Sequence, residues 1–121
     1  MRPTLLVIAV LSLLSLSLAG QGYETVEIEK LQSAKLVGGI VTDPSGAVLP
    51  DVIVEERSQD WKTVLRSTGT DEKGRFDFPA TQRKAVYYLQ FSRSGFDPLR
   101  IKLRIDKKAK SPLVLKMVIA T

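Results

Sequence analysis

The sequence contains no cysteine, no histidine and no asparagine. Without cysteine a small exported domain has no disulfides, so its core alone must hold it, and no lipid can be attached to a cleavage-site thiol. Without histidine as well, zinc and other transition metals lose their usual ligands, and imidazole-based catalysis is excluded. The lack of asparagine removes N-glycosylation and any lysine-to-asparagine isopeptide bond. A lysine-to-aspartate version would need a buried Lys, Asp and Glu together, whereas the expected core positions are apolar. No cofactor and no metal are expected.

Charge is also modest. The 18 basic residues fall to 17 once Arg2 is set aside, against 13 acidic ones, a formal +4. Nucleic-acid binders concentrate more charge on one face, so no nucleic-acid partner is expected. A 121-residue chain, 44% apolar and 26% charged, makes one globular domain at most. About a hundred residues bury roughly two-thirds of their unfolded surface, enough for a single core.

The N-terminus carries its own signature. Arg2 supplies a positive start, Leu5 to Leu18 is an apolar run broken only by Ser, and Ser17-Leu18-Ala19 places small residues where a signal peptidase reads. The run is about fourteen residues, short of the ~20 needed to span a bilayer. Residues 1–19 are therefore expected to be a cleaved signal peptide, with no membrane span afterwards and the protein in the periplasm or outside the cell.

Residues 20–35 are expected to be an N-terminal tether. Val26-Glu27-Ile28-Glu29 alternates like a short edge strand, but Leu31-Gln32-Ser33-Ala34 loses the period. The domain proper, 36–121, reads as seven short strands: 36–42, 52–57, 63–70, 75–78, 86–93, 99–105 and a last one around Leu113, Leu115 and Met117. Asp43-Pro44-Ser45-Gly46 suits a type I turn at every position, and Asp71-Glu72-Lys73-Gly74 repeats its chemistry. Gly38 and Gly39 mark a bulge or the close approach of another backbone, and Pro50 interrupts the second strand. Turn signals every ten residues or so, with no helical period, predict an all-β, antiparallel Greek-key sandwich.

Two surface features stand out. Leu99, Ile101, Leu103 and Ile105 alternate with Arg100, Lys102 and Arg104, and Lys107, Lys108 and Lys110 follow, with Lys116 further on. These cations either keep an exposed edge from pairing or receive an anionic partner. Trp61, the single tryptophan, sits in a polar loop and either anchors a partner or covers the sandwich end. Other constellations are weaker. Asp71, Glu72 and Asp77 read as turn chemistry more than as a calcium site, which wants six to eight converging oxygens. Ser94 or Ser111 near Lys110 is the remaining nucleophile option. Glu55 and Glu56 are adjacent on a strand and point to opposite faces, so they cannot act as a glycosidase pair.

Taken together, Gly39-x-Val41-x-Asp43-x-x-Gly46-x-x-Leu49-Pro50-x-Val52-x-Val54, Thr70-Asp71-x-x-Gly74-x-Phe76, Tyr87-x-Leu89-x-Phe91 and Gly95-Phe96 resemble the carboxypeptidase regulatory-like domain. The resemblance runs from Leu36 to Ile119 and implies the seven-stranded, transthyretin-like sandwich and an accessory role. It implies a stand-alone, non-catalytic copy. With the signal-like N-terminus, the expectation is export from a bacterium, and with the surface features it is contact with an envelope or extracellular protein or an anionic glycan through Trp61, Arg100, Lys102, Arg104, Lys107 and Lys108. The alternatives are a structural module of an envelope assembly, or a small transthyretin-like hydrolase. Hydroxyisourate hydrolases of that group depend on histidines and a C-terminal Tyr-Arg-Gly-Ser motif, and this chain ends Met117-Val118-Ile119-Ala120-Thr121.

Overall fold

The structure, a computed structural model, describes residues 24–79, 84–110 and 112–121. The signal-peptide reading of residues 1–19 and the candidate Ser111 lie outside the described residues. Eight strands form: β1 (Val26–Ala34), β2 (Gly38–Thr42), β3 (Ile53–Arg57), β4 (Val64–Gly69), β5 (Arg75–Asp77), β6 (Tyr87–Ser92), β7 (Leu99–Ile105) and β8 (Val114–Lys116). They make a five-stranded sheet, β1-β7-β6-β3-β4, and a three-stranded sheet, β5-β2-β8.

The period of two in the sequence decides which side chains meet between the sheets. Val54 on β3, Leu89 and Phe91 on β6 and Ile101 and Leu103 on β7 are fully buried, and face Val41, Phe76, Leu115 and Met117. The Phe76 and Phe91 rings meet edge to face at 5.2 Å. Each such side chain taken from water stabilises the fold by about 1.5–3 kcal/mol, which is how a chain without disulfides holds two sheets together. The all-β sandwich is the architecture expected from the strand pattern.

The turns direct the chain as their residues suggest. Asp43 Oδ1 accepts the amides of Ser45 at 2.8 Å and Ala47 at 3.0 Å, and Gly46 takes φ 93°. Asp71 Oδ1 does the same for Lys73 and Arg75, at 2.8 and 3.0 Å. An oxygen committed to backbone amides in this way is capping a turn. The break at Pro50 is repaired by Thr70, whose hydroxyl donates to the Leu49 carbonyl and accepts the Val52 amide. Gly39 is required by close approach: a Cβ there would stand 2.6 Å from the Leu113 carbonyl oxygen.

The expected tether is different in the structure. Val26–Ala34 is a full strand that pairs in parallel with β7, matching Val26 to Leu99 and Ile28 to Ile101, then Gln32 to Leu103 and Ala34 to Ile105. A register shift falls between Ile28 and Gln32, and this is where the sequence loses its period. The count therefore rises from seven strands to eight, and β1·β7 and β2·β8 are parallel within an otherwise antiparallel fold. A further consequence concerns the cations of β7. That strand lies between β1 and β6, so Arg100, Lys102 and Arg104 do not protect an edge.

Candidate functional site

The outer face of the five-stranded sheet gathers the chain's most unusual surface. Cross-strand register sets Glu27, Arg100, Gln90, Glu55 and Ser67 in one row, and Lys102, Tyr88, Arg57 and Val64 in the next. Within these rows Arg57 is neutralised by Glu55, whose Oε1 accepts Nη2 at 2.7 Å. Arg100 donates from Nε to the neutral amide oxygen of Gln90 at 2.8 Å. Among the described residues, no carboxylate forms an ion pair with Arg100, Lys102 or Arg104.

The loop between β3 and β4 folds back over this face. Asp60 Oδ1 accepts the Ser58 hydroxyl at 2.6 Å and the Lys62 amide at 3.0 Å, bonds that hold its carboxyl below the usual aspartate range. Ser58 in turn bonds both backbone groups of Thr63 across the loop: its amide donates to the Thr63 carbonyl and its hydroxyl accepts the Thr63 amide. The loop thereby holds Trp61 at φ 69°, a left-handed conformation that costs a bulky side chain about 1–3 kcal/mol. Arg57 Nη1 supports it by donating to the Trp61 carbonyl at 2.9 Å.

The result is a fixed, part-exposed indole. It meets Tyr88 edge to face, with ring centroids 5.4 Å apart, and carries the Arg100 guanidinium 4.8 Å from its centroid. Beyond it Lys102 and then Arg104 follow along β7 on the same face. Exposed Lys107 and Lys108 occupy the turn after β7, which Asp106 caps by accepting the Lys108 amide at 2.9 Å. Trp61 and Arg100, separate candidates in the sequence, are thus in direct contact, and Lys102 and Arg104 continue from them. Lys116 is on β8 in the other sheet and does not belong to this face. Sequence reasoning passed over Tyr88, Gln90 and Arg57; the available signal was an aromatic on the polar side of the β6 alternation.

The remaining candidates disperse. Ser94 lies in the turn before β7 and Lys110 beyond its end, so the whole strand separates them, roughly 20 Å at the usual strand rise. Glu55 and Glu56 take opposite faces, as adjacent strand residues must. Glu56 points inward, 3% exposed, and meets Arg66 Nε and Lys84 Nζ at 2.6 Å each. Burial alone would raise its carboxyl, but the hydrogen bonds and charges of Lys84 and Arg66 prevail and hold it below the ordinary glutamate value. No aspartate shares this cluster among the described residues, so an isopeptide arrangement is not assembled there.

The family comparison agrees with the architecture. The sequence profile of the carboxypeptidase regulatory-like domain matches residues 37–118. None of the curated proteins matches the chain in sequence. Among solved structures, the 3-chlorocatechol 1,2-dioxygenase of Rhodococcus opacus 1CP is similar over 79% of this chain and 64% of its own, at 17% identity and a TM-score of 0.42. The chain thus spans less than two thirds of that enzyme.

Proposed function

The chain belongs to the carboxypeptidase regulatory-like domain family, and on that premise we propose that it is a non-catalytic, exported binding module whose partner docks on the outer face of the five-stranded sheet. Regulatory-like domains of this family are accessory β-sandwiches. The observation that carries the proposal is the contact of Trp61 with Arg100 and Tyr88. A loop that accepts backbone strain to hold an aromatic ring against a guanidinium on an open sheet face is preorganised for contact, because the ordering cost is met before a partner arrives.

The apolar N-terminal run of the sequence supports export, to the periplasm or beyond the cell. A partner of the envelope or the extracellular space, protein or anionic glycan, fits that setting.

The test is capture of partners from an envelope fraction by the wild-type chain, by Trp61→Ala and by a variant with Arg100, Lys102 and Arg104 changed to Ser. The proposal expects capture to fall in both variants; unchanged capture sinks it. Hydroxyisourate turnover above the uncatalysed rate would instead restore the hydrolase alternative.

A further inference from the structure

We infer that the ligand of this face is an acidic polysaccharide, with a sugar ring against the exposed part of Trp61 and its carboxylates beside Arg100 and over Lys102 and Arg104. The inference rests on the reading of the face as a partner site and adds the chemical class of what it takes. Four features of the surface lead to it.

The face is the outer surface of a sheet. A cavity of about 540 Å³ lined by Ser58 and Thr63 opens in the Trp61 loop, and cavities of about 220 Å³ at Leu36, Gly39 and Leu113 and about 330 Å³ at Ile53, Phe96 and Pro98 lie away from it. Arg100, Lys102 and Tyr88 line none of these three. Side chains set out in rows on a sheet suit an extended ligand better than a compact one that needs enclosure.

The strand beneath is closed to peptides. β7 is hydrogen-bonded on one side to β1 and on the other to β6. An extended peptide gains much of its affinity by adding to a free strand edge, and no edge is free at β7. Only side chains can recognise a ligand there, and that favours a polymer dense in its own hydroxyls and charges.

The cations repeat. Alternate residues on a strand stand about 6.7 Å apart, so Arg100 to Arg104 span about 13 Å with a charge at each step. None of the three has a carboxylate partner among the described residues. Glu27 stands opposite Arg100 in the register without closing an ion pair. Repeated, uncompensated positive charge calls for repeated negative charge. The indole completes the site. Arg100 and Tyr88 both stand on the sheet and both contact Trp61, which stays part-exposed. A rigid ring with a negative face is a stacking surface for the C–H face of a pyranose.

Trp61 is the chain's single tryptophan, so its fluorescence reports this site alone. The test titrates the full chain with polygalacturonate, with neutral dextran and with a single-stranded oligonucleotide. Saturable change in tryptophan emission with polygalacturonate and none with dextran is the expected result. By calorimetry, Trp61→Ala should weaken polygalacturonate binding about tenfold, the scale of one lost stacking contact, and Trp61→Phe should retain most of it. The triple serine variant should lose it while still unfolding in one cooperative transition, its melting temperature lowered only by the lost Arg100 contacts. Tighter binding of the oligonucleotide, or polygalacturonate binding indifferent to Trp61→Ala, overturns the inference. If polygalacturonate is inert while envelope capture still depends on Trp61, the ligand class is wrong and the partner face stands. If capture is indifferent too, both fall.

Discussion

The guanidinium of Arg100 stacks on the ring of Trp61 at 4.8 Å, although one residue lies mid-strand on β7 and the other in the β3–β4 loop. Cation–π contacts of this kind contribute about 0.5–1 kcal/mol where solvent reaches them. A double-mutant cycle of Arg100→Ala and Trp61→Ala, read by urea unfolding, should return a coupling of that size. Arg100→Ala alone should also shift the tryptophan emission. A coupling of zero would mean that the contact does not persist in solution.

Glu56 gives the fold a dependence on acid. Its carboxyl is held below the ordinary glutamate value in the folded chain, so the stabilisation is present above the unfolded pKa, about 4.3, and is lost as pH falls through the lower folded value. At pH 7, Glu56→Gln should cost about 1.5–3 kcal/mol, the worth of hydrogen bonds to charged groups. The penalty should shrink as the pH drops below about 4. Glu56→Leu, which removes the buried charge but leaves Arg66 and Lys84 part-exposed, should cost less than Gln. A penalty independent of pH would show that packing, not charge, is what Glu56 supplies.

How much of this could be read in the residues depends on whether the pattern was local. The alternation of Leu99 to Ile105, the Asp43 and Asp71 turns and the break at Pro50 identify strands and reversals, because each acts within a few residues. Glu56 lies on the inward side of β3 as its position implies, but Arg66 and Lys84 come from other strands or loops, and nothing in the sequence pairs them with it. β1 was obscured by the register shift between Ile28 and Gln32, which breaks the period of two. The Trp61 site was half legible. The loop's strained φ and the ring's reach across the sheet to Arg100 are set by tertiary packing, which periodicity does not carry.

The two capped turns, alike in sequence, should differ sharply in tolerance. Gly46 and Gly74 both have positive φ, 93° and 73°. A Cβ at Gly46 meets nothing within 4 Å, whereas one at Gly74 would stand 2.7 Å from the Val41 carbonyl oxygen and 2.9 Å from Val48 Cβ. Gly46→Ala should therefore cost only the left-handed penalty, about 1–2 kcal/mol. Gly74→Ala adds displacement of backbone at the junction of β2 with the 71–74 turn, and should cost about 3 kcal/mol or more. Equal melting temperatures for the two variants would contradict the packing around Gly74.

The strand at the N-terminal edge offers the sharpest contrast between a tether and a structural element. β1 covers the outer flank of β7, with Ala34 buried and Val26 and Ile28 packed on the core. A chain shortened to begin at Leu36 would leave the β7 backbone unpaired on that side and Ile101 and Leu103 partly uncovered. It should unfold about 2–4 kcal/mol earlier in urea, from the apolar burial lost, with a lower m-value because less surface is buried in the native state. Its new edge should also promote self-association, measurable by sedimentation. Ile28→Asp in the full-length chain supplies an independent check, since it sets a carboxylate beside Ile101 without removing backbone pairing. If residues before Leu36 merely tethered the domain, both variants would keep the wild-type midpoint.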